Sequence, residues 1–537
     1  MIQQLSLLSK FKNEILEPKV QENKVVIDCN KIVQDTNSFT IEITFNSKIV
    51  AFRNHDYTWH DLKVDTIATE YSPKILQLEN GFYVQSNINQ GIWEVNKKDR
   101  NKLSWHFNPH YSKPLTQYVG RSNAKKGIDA NSVLRFIEQP TLLFFKKNPI
   151  EISRSLLPFS AITCFTDHCD FDTLENLKIQ RAFFKEKKIK ITKGFFLNHF
   201  SKRHENASYE NDAIEIESWK NDGHELCYHS LSQSIKSNED SFSNFQNFIP
   251  PFQDIPVWID HGYQPYNLSL FENCNFDTAD YESNLKKKNI KILWNYIDSG
   301  TATTGVINQL NKNHFTLHSF LKGNKSLPTI KLLQAMIKNI VFHYLNDDKT
   351  IAKYKSTAQN FKKIAYQKQF KIIPKFIKDF TVLFTSIASV LFLWNTNKNK
   401  AFKLSKYTPL FFKNTILKEE FVVFQTLEMI DFSKALSKEN INLLIKESGI
   451  FLAHTYFSDS IVYHNGKLLT EKNLINTKVD KNFNYLSNVI LENKIWNPTL
   501  SELYAYLSQF ESLLFDIDSD NNLIVKNSGY LIFRTIN

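Results

Sequence analysis

The chain has 537 residues, of which 42% are hydrophobic and 23% charged, and its formal net charge is +11. A chain of this length is too long for one ordinary domain and predicts two to four domains. Its apolar content supports well-packed cores and excludes a chain that has no hydrophobic core. The charge is uneven, because residues 301–440 contain 22 lysines, no arginine and eight acidic residues. The rest of the chain is slightly acidic, so the basic segment indicates an anionic partner surface there.

Composition also gives an expected cellular setting. The five cysteines have neither the spacing of a metal ribbon nor an even disulfide framework, which favours reduced thiols in a cytoplasmic protein. The first ten residues lack a basic start followed by a long apolar run, so no signal peptide is expected. The abundance of Phe, Ile, Asn and Lys with scarce Gly is typical of an AT-rich bacterial genome.

The N-terminal region is predicted to be an accessory domain rich in β-strands, covering 1–150. Residues 1–20 read as a short helix and linker, and short alternating or apolar runs then recur up to about Pro149. These runs predict a β-sandwich or a barrel-like domain. Trp93 and Trp105 are expected in its core, and no catalytic constellation is found there.

The most informative stretch is 162–173, where an apolar strand is followed at once by side chains that can bind metals. Asp167, His168, Asp170 and Asp172 come directly after Ile162–Thr166. A helix is predicted over 174–187 and a second strand over 189–197. Such units place active sites outside the carboxyl ends of their strands. Asp172 or Thr173 is expected to cap the helix, whereas Asp167 and His168 lie too early to do so.

Further histidines follow other predicted strands. His229 ends the short run Glu225–Tyr228, and His261 follows Val257–Ile259. His454 ends the apolar run that begins at Ile450. If these strands share one parallel sheet, the side chains at their ends lie on one rim.

This order of elements resembles the NodB-like polysaccharide deacetylases of carbohydrate esterase family 4. The family motif Thr-Phe-Asp-Asp-Gly corresponds here to 165–168, and the motif Gly-His-Glu-(Ile/Leu)-x-x-His-(Ser/Thr)-x-x-His to 223–233. The last family motif, Leu-x-His, corresponds to 452–454. Two positions depart from the pattern: His168 replaces the metal-binding aspartate, and Gln233 replaces the second metal-binding histidine.

The resemblance implies an α/β fold, a distorted (β/α) barrel of NodB type with an N-terminal β-rich domain and a helical insertion. The first part of the barrel is expected over 151–300, the Lys-rich helical insertion over 301–440, and the barrel completion with C-terminal strands over 441–537. It also implies a divalent metal, with zinc as the expected ion. By carry-over, Asp167 is the general base, His454 protonates the leaving group and His229 is a metal ligand.

The remaining site assignments follow from the departures. His168 or Asp170 would replace the family aspartate as a metal ligand, and His261 would supply the lost histidine. Trp258, Asp260 and Trp294 stand where the family has its substrate-groove and later tryptophan motifs, although the family's groove arginine is absent. They are therefore expected to bind substrate.

The expected activity is metal-dependent hydrolysis of an N- or O-acyl group on a glycan or glycolipid, which is hydrolysis of a carbon–nitrogen bond other than a peptide bond in the N-acyl case. Two alternatives remain. A degenerate, metal-free barrel could serve as a sugar-binding or scaffold protein. Thr166-Asp167-His168 also resembles part of the metal-site motif of PHP-type phosphoesterases, but the His-x-His pair of those enzymes is not found upstream.

The Lys-rich segment has its own two interpretations. Residues 380–394 carry no charge and are mostly apolar, but they are short for a membrane span. With the lysines on both sides they predict either an interfacial helix that binds an anionic membrane surface through 337–413, peripherally on the inner membrane, or a buried helix. The absence of arginine argues against specific nucleic-acid binding.

Overall fold

A computed structural model describes residues 1–119, 122–126, 134–271, 277–458 and 467–536. The N-terminal region forms two antiparallel sheets packed face to face. In spatial order, the first sheet contains Asn13–Leu16, Ile2–Ser9, Phe39–Phe45, Lys102–Phe107, Ile92–Val95 and Thr66–Ala68. The second contains Lys19–Gln21, Lys24–Val26, Thr141–Phe145, Tyr83–Ser86, Ile75–Leu78, Ile49–Arg53 and Trp59–His60.

This sandwich agrees with the predicted strands but corrects the reading of residues 1–20. That segment is not a helix and linker, because Ile2–Ser9 pairs with Phe39–Phe45 in the first sheet. Its alternation places Leu5 and Leu7 in the core, which is the period of a strand. Trp93 and Trp105 are fully buried against each other, as expected.

A ring of parallel strands follows the sandwich. Its first five members in chain order are Ala161–Asp167, Thr192–Phe195, Glu225–His229, Val257–Ile259 and Ile292–Trp294, and each pairs with the next. The last continues into Asp298–Thr301, and together they pair with Glu419–Phe424 and Thr426–Glu428. Thr426–Glu428 pairs with Ile450–Thr455, which pairs with Ala161–Asp167. The pairing therefore returns to its start after seven courses of chain, counted within the described ranges.

Helices cover the outside of this ring, and apolar side chains fill its interior. The covering helices are Leu174–Lys187, Tyr209–Asn221, Asn238–Asn247, Thr278–Lys287, Phe432–Ala435, Lys438–Lys446 and Thr477–Leu491. Alternate strand residues such as Ile162, Cys164 and Cys227 fill the interior. The helix Leu500–Leu507 closes the amino ends of the strands together with the second sheet of the sandwich, and the carboxyl ends form the opposite rim. Thr499 and Glu502 form a capping box at the start of this helix.

The Lys-rich segment is helical, but it ends earlier than the expected boundary at residue 440. Its helices are Leu317–Gly323, Thr329–Asn339 with a wider turn over Ile340–Leu345, Asp348–Gln367, Ile373–Phe392, Trp394–Asn397 and Lys403–Tyr407. The chain rejoins the sheet at Phe411–Ile416, which forms a hairpin with Glu419–Phe424. Glu419–Phe424 belongs to the ring, and Phe411–Ile416 pairs with it from outside the ring.

The C-terminal segment connects the sandwich with the ring of parallel strands. Leu514–Ile517 and Leu523–Asn527 form a hairpin, and Phe533–Thr535 pairs with Ile150–Ile152. The hairpin Leu115–Val119 and Ser122–Lys126 extends from the sandwich toward the helices of the Lys-rich segment. In the portion of the chain that is described, helices fall short of the length and apolar character needed to cross a bilayer.

Candidate active site

Strand alternation decides which residues of the central stretch lie above the interior of the ring, at the carboxyl-end rim. Ile162 and Cys164 face the interior of the ring, whereas Ala161 and Phe165 face the helices. The strand continues in the same alternation through Asp167. Asp167 therefore faces the helix layer, and His168, the next residue, lies above the interior.

Asp170 lies between two histidines from neighbouring strand ends. Its Oδ2 is 2.9 Å from Nε2 of His229, and its Oδ1 is 3.0 Å from Nδ1 of His261. Burial alone would raise the pKa of Asp170, but the imidazoles of His261 and His229 outweigh it and hold that pKa well below its usual range. Phe196 packs against both histidine rings, so this carboxylate is fixed on the wall of the rim.

His261 supports Asp170 and is not itself suited to bind a metal. Its Nε2 donates to the backbone oxygen of Gln233 at 2.9 Å, and its Nδ1 faces Asp170, so both ring nitrogens are engaged. Burial lowers the pKa of His261, but the Asp170 carboxylate outweighs that effect and raises it. His261 therefore orients the carboxylate, and the engagement of both its nitrogens corrects the expectation that it is a ligand.

His168 occupies the centre of the cluster. Its ring lies 4.0 Å from that of His454, 4.7 Å from that of His229 and 4.8 Å from that of Trp294, measured between centroids. Burial, reinforced by the neighbouring histidines, lowers its pKa well below the usual value, so the ring is neutral. Its Nε2 is buried and has no hydrogen-bond partner within the described part of the chain.

His454 forms a dyad with Asp298 from the fifth course of the ring. Nδ1 of His454 lies 3.2 Å from Oδ1 and 3.4 Å from Oδ2 of Asp298. Because a carboxylate can only accept, this contact assigns the proton to Nδ1 and leaves the lone pair of Nε2 free. That Nε2 is buried, and among the described residues nothing bonds to it.

The donor set fits a divalent cation. His168, Asp170 and His229 each offer one ligand atom, and these atoms all lie within 4.8 Å of one another. Ligands bound to one zinc ion lie roughly 3.4 Å apart, so the three side chains would have to move inward to hold the ion together. Burial also lowers the pKa of His229 and keeps it neutral. Buried imidazole nitrogens without partners, beside a carboxylate, have the chemistry of zinc ligands.

Asp167, expected to be the general base, lies outside this cluster. It is fully buried and forms an ion pair with Lys193, which also donates to Asp172 at 2.6 Å and to Gln180 at 3.0 Å. Burial and the nearby Asp172 carboxylate raise the pKa of Asp167, although Lys193 opposes them. Asp172 belongs to the same network, and the helix is capped by Thr173, which accepts from the backbone N–H of Asn176.

Two of the three expected substrate residues are also part of the scaffold. Trp258 is fully buried in the helix-side core, and its indole N–H donates to Asp260 at 3.2 Å. Asp260 is fully buried and accepts from the backbone of Leu268 and from Ser269. Both assignments are therefore corrected, because neither side chain reaches the rim. Trp294 does lie beside His168 and His454, with its indole N–H donated to Thr426 at 2.9 Å.

Several residues of the site were not assigned from the sequence. Asp298 was given no role from the sequence, because the helical insertion between it and His454 conceals their contact. Phe196 and Tyr456 border the histidine rings, but single aromatic residues carry no distinguishing pattern. The side chain of Gln233 lies away from this cluster in its contacts, since its Oε1 accepts from Ser201 and Ser234.

Comparisons with known proteins add little to this geometry. No family model matches the chain, and no curated protein does. Among solved structures, a GH31 dextranase of Flavobacterium johnsoniae complexed with glucose is similar over 54% of this chain, at 8% identity and a TM-score of 0.21. A mutant of that dextranase complexed with isomaltotriose gives the same values. The chain spans only 36% of the dextranase, and this TM-score carries no argument about fold or activity.

Proposed function

We propose that the protein is a metal-dependent hydrolase that removes an acyl group from a glycan or a glycolipid, on a barrel of the NodB type. The observation that carries the proposal is that two groups of side chains lie side by side at one rim. They are the donor set of His168, Asp170 and His229 and the adjacent dyad of His454 and Asp298. The rings of His168 and His454 are stacked, so the donor set and the dyad are in direct contact. Acyl hydrolysis needs both an electrophilic centre and a group that transfers protons.

The metal would be held by His168, Asp170 and His229, with His261 orienting the carboxylate of Asp170. When bound, a divalent ion supplies Lewis acidity that polarises an acyl carbonyl and lowers the pKa of water. The protein supplies a buried wall of aromatic rings, including Trp294 and Phe196, that limits access of bulk water. The groups that bind metal and the group that moves protons thus come from different strands.

His454 is the residue that supports proton transfer best. Asp298 holds the Nδ1 proton, so Nε2 can accept a proton from the attacking water and return it to the leaving nitrogen or oxygen. The acyl–heteroatom bond breaks, water adds across it, and the products are a carboxylic acid and a free amine or alcohol. Since Asp167 faces the helix layer, one imidazole performs both transfers in this scheme.

The test measures acetate released from acetylated chito-oligosaccharides and from an aryl acetate, after loading the full chain with zinc, cobalt or nickel. We expect turnover by the parent and a loss of at least about a hundredfold in His454→Asn, because the proton-transfer group is removed. Asp298→Asn should also lose activity, since the tautomer of His454 is no longer fixed.

The matched control is His318→Asn, which changes an exposed histidine in a helix of the Lys-rich segment. It should retain parental activity. If no metal-loaded sample releases acetate, or if His454→Asn is as active as the parent, the proposed hydrolase is rejected and a binding role for the barrel becomes the better explanation.

A further inference from the structure

The two longest helices of the Lys-rich segment form a hairpin with one well-packed side. Asp348–Gln367 and Ile373–Phe392 pack along their lengths and are joined by a short connection. The packed side of the second helix contains Asp379, Leu383, Ile387 and Val390. Asp379 accepts from Lys353 and Ser356 at 2.6 Å each, which fixes the pairing of the helices.

A second side of this hairpin is apolar but exposed. In the helix Ile373–Phe392, exposed apolar residues recur three, four or seven positions apart: Ile373, Ile377, Phe380, Phe384 and Leu391. The tip adds Phe361, Tyr366 and Phe370, which are 55%, 80% and 61% exposed. We call these eight side chains the apolar stripe. Its length along a helix distinguishes it from scattered surface hydrophobics.

Lysines surround the tip end of the apolar stripe. Between positions 361 and 380 they are Lys362, Lys363, Lys368, Lys371, Lys375 and Lys378, all exposed. Within the ranges that the structure describes, none of these six ammonium groups has an ion-pair partner. The only acidic residue in that interval is Asp379, which is buried and already paired with Lys353. The tip therefore presents unopposed positive charge beside exposed aromatic rings.

We propose that the tip of this hairpin docks onto an anionic lipid bilayer, with the apolar stripe in the headgroup region and the six lysines facing anionic headgroups. Exposed Phe and Ile on a helix flanked by lysines match the requirements of an interfacial helix. The surface lies at the hairpin tip and along one helix face, and not in 380–394 as a unit, because Leu383, Ile387 and Val390 pack inside the hairpin.

Other occupants of the surface explain these features less well. Specific nucleic-acid readout relies on arginine, and the segment 301–440 contains none. A second copy of the chain would bring six unpaired lysines near six others, which repel unless acidic groups intervene. The docking proposal goes beyond the hydrolase proposed above and does not depend on it, because vesicle binding can be measured without any substrate.

The test is flotation of the full chain with vesicles of pure phosphatidylcholine or of phosphatidylcholine containing phosphatidylglycerol. We expect at least about tenfold stronger binding to the anionic vesicles, weakened by high salt. Phe370→Ser/Phe384→Ser should reduce this binding by more than about tenfold. Lys368→Gln/Lys371→Gln/Lys375→Gln should do so as well, because each lysine contributes separately.

Matched controls change equally exposed residues elsewhere. Phe11→Ser/Ile214→Ser removes apolar side chains that are 78% and 85% exposed, and Lys97→Gln/Lys98→Gln/Lys147→Gln removes three exposed charges. Both controls should bind vesicles like the parent. A parent that fails to bind anionic vesicles overturns the proposal, as does full binding by the hairpin variants. Binding to DNA without vesicles, or a dimer that Phe370→Ser/Phe384→Ser dissociates without vesicle binding, would also overturn it.

Discussion

At the scale of single residues, Lys193 is the cation that decides the role of Asp167. It contacts two buried carboxylates, Asp167 and Asp172, and its side chain is only 2% exposed. These carboxylates raise the pKa of Lys193 and keep it charged, although burial opposes them. Such a network holds the first strand of the ring against its helix, so a change in Asp167 acts on stability before it acts on chemistry.

We predict that Lys193→Met lowers the free energy of unfolding by about 3–5 kcal/mol, because it leaves two buried carboxylates without a counter-charge. The matched control is Lys185→Met, whose lysine is paired with Asp222 at 2.6 Å but is 62% exposed. That change should cost less than about 1 kcal/mol. Urea denaturation followed by circular dichroism measures both. Equal losses in the two variants would contradict the role given to Lys193.

The sequence was sufficient to identify site residues that follow a strand end. It was not sufficient to predict on which face of the strand a given side chain lies. His168, His229 and His454 were identified from their positions, and the structure brings them together. Asp167 and His168 are neighbours, so a strand longer by one residue reverses which of them reaches the rim. The sequence gives no signal for the end of that strand, because Thr166 and Asp167 are compatible with either state.

At the scale of elements, one partly buried carboxylate of the sandwich contacts the Lys-rich segment through two side chains. Glu94, in the strand Ile92–Val95, accepts from Lys406 at 2.8 Å and from Tyr407 at 3.3 Å, and His106 lies at 3.3 Å. Burial would raise the pKa of Glu94, but His106 and Lys406 outweigh it and lower the pKa to about 2. The helix Lys403–Tyr407 is thereby fixed to a strand of another domain.

This contact predicts an acid-dependent loss of stability. Because the pKa of Glu94 is lower in the folded chain than in the unfolded chain, its contribution is complete above about pH 4.5 and is lost as the pH falls toward 2. The shift corresponds to about 3 kcal/mol. Glu94→Gln should remove this part of the pH dependence. Glu42→Gln, which affects a pair whose lysine is 40% exposed, should leave it unchanged. Unfolding measured between pH 6 and 2.5 decides between them.

Elements with a strong local period were predicted well, and elements defined by distant partners were not. The helix Leu174–Lys187 was predicted with its bounds, because its apolar spacing and the cap at Thr173 act locally. Phe411–Ile416 and Glu419–Phe424 were placed in the helical insertion, because Glu419–Phe424 pairs with Ile292–Trp294, more than a hundred positions away, and Phe411–Ile416 in turn pairs with Glu419–Phe424. Local propensity cannot register that partner.

At the scale of the whole molecule, the ring of parallel strands is what brings the candidate ligands together. His168 and Asp170 follow the first strand, His229 ends the third, and His454 arrives with the last after the entire helical insertion. Parallel pairing places all these strand ends on one rim. The common rim could be predicted from the order of elements, whereas the division into ligands, dyad and structural carboxylates required the side-chain contacts.

The proposed hydrolase depends most directly on whether His168, Asp170 and His229 bind a metal ion. Elemental analysis of the full chain after incubation with zinc and desalting should give about one ion per chain. His168→Ala and His229→Ala should abolish that binding, His261→Ala should weaken it by roughly 10–100-fold, and His318→Ala should leave it unchanged. Absence of bound metal in the parent, or unchanged binding in His229→Ala, would contradict the metal site and with it the hydrolase built on it.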